Sequence, residues 1–263
     1  MSLRNKEFRM LHGMMRKTAT IGFSAISLLA FSFSAQATNL IVNGSFESTT
    51  NGPGQFNTST TTLTGWSSSG YNFVFASGGA DTTGANGEYG NVMLWGPNDG
   101  SNNGLPASSP DGGNFIAADG AFEIGAITQT VSGLTVGDTY TLSFYWAGAQ
   151  QTAHDGATTE QWKVTLGGVE QDTPILDNAN HGFTGWQLQT FDFTANSTSE
   201  LLSFLAVGTP NGVPPFSLLD GVSLNADTSG AQSTPEPGSV VLILGGLMVG
   251  LGARRLQKRV RSK

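Results

Sequence analysis

The stretch that most restricts the fold is 139–147, T-Y-T-L-S-F-Y-W-A. Tyr140, Leu142, Phe144 and Trp146 fall on one side of an extended chain, and Thr141, Ser143 and Tyr145 on the other. A period of two is that of a half-buried β-strand; a helix would scatter these side chains around its axis. Trp162, Val164 and Leu166 repeat the pattern. Segments 39–46, 71–76, 91–95, 114–118, 123–131, 161–167, 186–194, 201–207 and 216–224 have similar β-type composition, separated by Gly, Asn, Asp and Ser. No stretch between 38 and 233 carries a helical period. Short strands punctuated by turn residues predict an all-β, antiparallel β-sandwich over 38–224. Residues 96–113 read as a long polar loop and 225–234 as a linker.

Both ends are set apart. Arg16-Lys17, an apolar stretch over 19–33 and A-Q-A at 35–37 compose a secretory signal peptide, with cleavage after Ala37. Residues 1–13 fit that pattern poorly, so Met14 or Met15 is an alternative start. At the other end, Pro235-Glu236-Pro237 precedes an apolar run over 239–253 and a basic cluster opening with Arg254 and Arg255. That run makes about 22 Å of helix, short of the roughly 30 Å hydrocarbon core. The basic cluster stays cytoplasmic, which sends the preceding chain across the inner membrane. Residues 235–263 resemble the PEP-CTERM sorting tail of Gram-negative bacteria. The resemblance implies an exosortase as partner, cleavage near Pro235–Pro237, and delivery to the cell surface or matrix. A retained short anchor is the alternative. Each end thus contributes one apolar helix flanking the β-domain.

Without these ends the charge is lopsided. Lys163 is the one basic Lys or Arg between 38 and 233, against 17 acids, a formal charge of −16. Such a surface repels phosphates, which excludes nucleic acid and anionic membrane surfaces as partners. There is no cysteine, hence no disulfide or thiolate chemistry.

N-L-I-V-N-G-S-F-E at 39–47, Gly65-Trp66, G-N-F-I-A-A-D at 113–119, V-S-G-L-T-V-G-D-T-Y-T-L-S-F at 131–144 and L-L-D-G-V-S-L at 218–224 occur in this order. Together they resemble the galactose-binding-like jelly rolls, a group that includes many carbohydrate-binding modules. The resemblance implies two packed antiparallel sheets; fold alone assigns no activity.

Asp220 lies in phase with Phe216, Leu218, Val222 and Leu224. A carboxylate among apolar residues is costly unless paired or metal-bound. The resemblance implies that Glu47 and Asp220 hold a structural Ca²⁺, with carbonyls near Asn43–Ser45 completing its oxygen shell. The alternative is a carboxylate satisfied by backbone N–H groups or a hydroxyl.

No G-x-S-x-G, H-E-x-x-H, P-loop or dinucleotide motif is present, and His154 reads as a loop residue. Trp66, Tyr71, Tyr89 and Trp95 are the candidate sugar-stacking rings, whereas Trp146, Trp162 and Trp186 sit in alternating strands and read as core. For Trp95, too, core is the stronger reading. The sequence therefore reads as an exported, non-enzymatic cell-surface or extracellular-matrix protein. A carbohydrate-binding module recognising exopolysaccharide is the alternative, and a glycoside hydrolase the weaker one.

Overall fold

The computed structural model describes residues 38–227, and all the geometry below is theirs. The segments read as a signal peptide and a sorting tail, with Pro235, Glu236, Pro237, Arg254 and Arg255, lie outside the described residues.

Fourteen strands follow one another in this stretch. They are β1 (Gly54–Gln55), β2 (Ser67–Ser68), β3 (Asn72–Phe75), β4 (Ala85–Gly87), β5 (Gly90–Val92), β6 (Phe115–Asp119) and β7 (Ile127–Ser132). Then come β8 (Thr139–Gln150), β9 (Thr158–Leu166), β10 (Val169–Asp172), β11 (Leu176–Asn178), β12 (Gln187–Thr194), β13 (Ser199–Thr209) and β14 (Pro215–Ala226). The one helical element among the described residues is a 3₁₀ turn, Pro97–Asp99. All pairing between named strands is antiparallel. One sheet runs β1-β3-β6-β14-β8-β12 and the other β10-β9-β13-β7-β2, with β11 added to β9; β4 and β5 form a separate hairpin.

The alternation over 139–147 does what its period implies. Tyr140, Leu142, Phe144 and Trp146 enter a core to which both sheets contribute, with Trp162, Val164 and Leu166 from β9 and Phe204 from β13. Burying each such side chain stabilises the fold by about 1.5–3 kcal/mol. Trp162 also donates its indole N–H to the Leu218 carbonyl at 3.0 Å, tying the two sheets together.

The first sheet has a second apolar face. Phe73 and Phe75 of β3, Phe115 and Ala117 of β6, Ala147 and Ala149 of β8, and Phe216 and Leu218 of β14 pack with Ala85, Val92, Leu94 and Leu105. The segment from β4 through the long polar loop thus covers a second core.

Strand β14 serves both interiors. Phe216 and Leu218 face the second core, while Val222 and Leu224 face the first. The register against β8 shifts between Asp220 and Ser223, and Gly221 sits at φ +59. Asp220 is therefore in phase with Phe216 and Leu218 but not with Val222 and Leu224, contrary to the expectation from strict alternation. An inserted residue exchanges the two faces of a strand.

Segment 39–46 is not a strand. Asn43 and Phe46 have positive φ, which breaks an extended ladder. The segment still lies along β14: Leu40 N–H donates to the Leu224 carbonyl at 2.9 Å, and Val222 N–H to the Gly44 carbonyl at 3.0 Å. A Cβ on Gly44 would stand 2.0 Å from the Val222 oxygen, so only glycine fits this approach. The last strand continues through Ala226, into the first residues assigned to the linker.

Candidate functional site

At one end of the first sheet, β3 begins and β6 ends side by side. Tyr71 N–H donates to the Glu123 carbonyl at 2.9 Å, and Asp119 N–H to the Tyr71 carbonyl at 3.1 Å. After Asp119 the chain turns sharply. One Asp119 carboxylate oxygen, Oδ1, accepts the Ala121 N–H at 2.8 Å and the Phe122 N–H at 3.0 Å. This is an Asx-type turn, in which the side chain replaces a backbone acceptor. It sets Phe122 beside Tyr71, their ring centroids 5.3 Å apart and edge to face. Tyr89, from the turn between β4 and β5, completes the group at 5.7 Å from Tyr71 and 5.6 Å from Phe122.

Tyr71 is 5% exposed, but Phe122 is 42% and Tyr89 60% exposed. The Tyr89 hydroxyl donates to Glu123 at 2.7 Å, and this bond pushes its pKa up to about 12. Opposite the rings stand Gln151 and His154, beyond the end of β8, and the loop over 211–214 before β14; together they enclose a cleft of about 250 Å³. Asp119 lines it as well. Its second oxygen, Oδ2, is buried with no hydrogen-bond partner. Burial pushes the Asp119 carboxyl up to about 6, against the opposing pull of the Ala121 and Phe122 N–H groups and of His154. Exposed rings beside polar side chains that point into one concavity are what binding of an amphipathic ring requires.

A larger, more polar depression of about 500 Å³ lies elsewhere, lined by Ser101, Asn103, Asn178, Asn180, His181 and Thr184, among others. His181 donates its Nε2–H to the Asp155 carboxylate, 2.7 Å away, and its ring stacks on Trp95 at 3.8 Å. Trp95 lines neither cavity. It is half-buried, and its indole N–H donates to the His154 carbonyl at 3.2 Å. Trp66 is a core residue, 5% exposed, with its N–H shared between the Val42 and Asn43 carbonyls. Of the four candidate rings, the structure brings Tyr71 and Tyr89 together and leaves Trp66 and Trp95 apart from them. Trp146 and Trp162 are fully buried, and Trp186 packs against the second core.

Asp220 is fully buried. It accepts the Gly221 N–H at 2.7 Å and the Ser109 hydroxyl. Burial pushes its carboxyl up to about 8, Ser109 and Gly221 oppose the shift, and Asp111 and Glu47 add to it. Glu47 is exposed and accepts the Asn114 N–H at 2.6 Å. Among the described residues no group of three or more His, Asp or Glu side chains is arranged as a metal centre. The acidic side chains at hand are Asp220, Asp111 and Glu47, whereas the Asn43 carbonyl already accepts from Phe46 N–H and the Trp66 indole, and the Gly44 carbonyl from Val222 N–H. A cation there would offset the burial that raises Asp220 and, to a lesser degree, the repulsion from Asp111 and Glu47.

Phe122, Asp119, Gln151 and the 211–214 loop were not among the residues expected from sequence. Asp119 carried a legible signal: it is in phase with Phe115 and Ala117, an acid at the end of an apolar face.

No known protein-family model matches the chain. Halomucin of Haloquadratum walsbyi is 32% identical over 221 residues, 81% of this chain. The chain spans 2% of that relative's length. Among solved structures, the chain is similar to TmCBM61 in complex with β-1,4-galactotriose: 16% identity, TM-score 0.40, covering 73% of this chain and 100% of that one. The CBM22-1 xylan-binding domain of Paenibacillus barcinonensis Xyn10C is 14% identical at TM-score 0.35, over 74% of this chain and 97% of its own. A CBM4 structure is 20% identical at TM-score 0.32, over 71% and 99%. Among the described residues no helix is long and apolar enough to cross a membrane.

Proposed function

We propose that the β-domain is a non-catalytic carbohydrate-binding module of an exported surface protein. One observation carries this reading: Tyr89 and Phe122 stand exposed over Tyr71 in a cleft that also holds a buried carboxylate oxygen without a partner. Sugars offer apolar ring faces and hydroxyl edges, and this cleft offers aromatic faces and hydrogen-bonding edges in one place. At about 250 Å³ it is smaller than the roughly 300–1,000 Å³ of drug-sized pockets and suits a short stretch of a longer chain. The strongly acidic surface agrees with a role outside the cell and away from nucleic acid.

The tail over 235–263 supports sorting by an exosortase-type system, with the inner membrane as a station on the way. Polysaccharide of the surrounding matrix is then the partner at hand. A structural Ca²⁺ at Asp220, with Glu47 and Asp111, belongs to the same proposal. It would pin the long polar loop to β14 and take no part in chemistry.

A glycan array probed with the purified full chain, beside a Tyr89→Ala/Phe122→Ala variant, tests the module. Binding to one or more immobilised glycans, lost in the variant, supports it. Absence of binding to every glycan, or binding that survives the double substitution, overturns it.

A further inference from the structure

The cleft is unusual in its charge. No Lys or Arg lines it, and His154 is its one side chain of basic type. The one Lys or Arg of the described residues, Lys163, is occupied on β9 by Glu170 at 2.8 Å and Asp172 at 3.1 Å. Acids, by contrast, gather on the aromatic side. Asp119 lines the cleft, Glu123 holds the Tyr89 hydroxyl, and Glu88 precedes Tyr89 in the same turn. Burial, then Asp119, Glu123 and Glu88, hold the Tyr71 hydroxyl above its ordinary value, so all three acids act on one ring of the cluster.

Each class of sugar meets this field differently. An acidic sugar is repelled by three carboxylates with no cation to receive it. A neutral sugar can stack and hydrogen-bond but leaves the buried Asp119 charge uncompensated. A sugar bearing a protonated amine satisfies both demands: the ammonium is attracted to the carboxylate and to the negative faces of the rings, and the sugar ring still stacks.

We propose that this cleft selects amine-bearing sugars, with the ammonium held in the field of Asp119, Glu123 and Glu88 and flanked by Tyr71, Tyr89 and Phe122. The proposal rests on the carbohydrate-binding reading and narrows it to one ligand class. The hydrogen bonds that Asp119 Oδ1 accepts from Ala121 and Phe122 hold the turn whether or not a ligand is present. Oδ2 has no hydrogen-bond partner and almost no contact with solvent, so its charge acts on the cleft with little screening.

Isothermal titration of the full chain at neutral pH tests it, with four probes: a glucosamine oligomer, its fully N-acetylated counterpart, an oligouronate and a simple alkylammonium ion. The glucosamine oligomer is expected to bind at least about tenfold more tightly than the acetylated one, and the oligouronate not at all. Asp119→Asn keeps an oxygen for the Ala121 and Phe122 N–H groups, and a thermal melt verifies that it folds. It is expected to bring the amine and acetylated oligomers within about threefold of each other. Equal affinity of the wild type for the two oligomers overturns the amine preference and leaves the carbohydrate reading in place. Binding of alkylammonium but of no sugar keeps the cationic site and overturns the carbohydrate reading. No binding of any probe overturns both.

Discussion

The Ser109 hydroxyl donates to the Asp220 carboxylate, joining the long polar loop to the last strand across 111 residues of chain. The same Ser109 oxygen accepts the Asp111 and Gly112 N–H groups, each at 3.2 Å, so the loop is folded around its contact with Asp220. Asp111 and Glu47 crowd this carboxylate with charge of its own sign.

Calcium is expected to stabilise this corner. An ion that binds only the folded chain adds RT ln(1 + [L]/Kd), about 2.7 kcal/mol at a hundredfold excess over Kd, or several degrees in Tm. EDTA should lower the Tm of the full chain, and Asp220→Ala should abolish the response to both EDTA and Ca²⁺. Identical melting curves with chelator and with calcium would leave Asp220 as a carboxyl held by Ser109 and Gly221 alone.

Glu160 should give stability a negative slope with pH. It is fully buried at the start of β9, accepts the Thr158 hydroxyl through Oε1, and has no partner at Oε2. Burial pushes its pKa from 4.5 up to about 8; Thr158 and Asn178 oppose the shift and Asp177 adds to it. The folded chain therefore binds a proton that the unfolded chain has released. The resulting stabilisation is complete below the unfolded value and is lost as pH rises through about 8, at up to about 1.4 kcal/mol per pH unit. Glu160→Gln should flatten the slope of ΔG against pH over that window in urea titrations. A parallel pair of slopes rejects the assignment.

Tyr89→Ala and Phe122→Ala are each expected to weaken oligosaccharide binding by about 1–2 kcal/mol, five- to thirtyfold, through lost apolar contact. Both rings are largely solvent-facing, so Tm should move little. A fall of several degrees with unchanged affinity would make them structural residues.

Gly221→Ala should cost about 1–2 kcal/mol. The position has φ +59, and a Cβ would stand 3.0 Å from Tyr145 Cδ2 and 3.1 Å from Asp111 Cβ. Chemical denaturation reads this directly, and a neutral result would mean that the bulge relaxes.

The mature protein is expected to begin near Thr38 and to end near Glu236. Intact-mass measurement of the native surface form decides between this and a retained anchor, which would keep the residues of the 239–263 tail.

Much of the sandwich was legible because period-two alternation survives in β9 and in the first half of β8, where one face is buried and the other half-exposed. The short strands β1, β2, β4, β10 and β11 left no such trace, since two to four residues cannot display a period. Segment 39–46 misled for another reason: Ile41 and Phe46 do reach the interior while Val42 stays exposed, and the chain passes through left-handed turns at Asn43 and Phe46. In the cleft, Tyr71 and Tyr89 were visible as aromatic residues near polar turns. Phe122 was not, because its position depends on the Asp119 turn and on the meeting of β3 with β6, neither of which has a local signature.

The shift at Gly221 has a thermodynamic corollary. Since β14 places Phe216 and Leu218 in one interior and Val222 and Leu224 in the other, neither can melt while its share of the strand stays docked in the other. The two cores are therefore expected to unfold in one cooperative transition, together with the cleft that borders the second core.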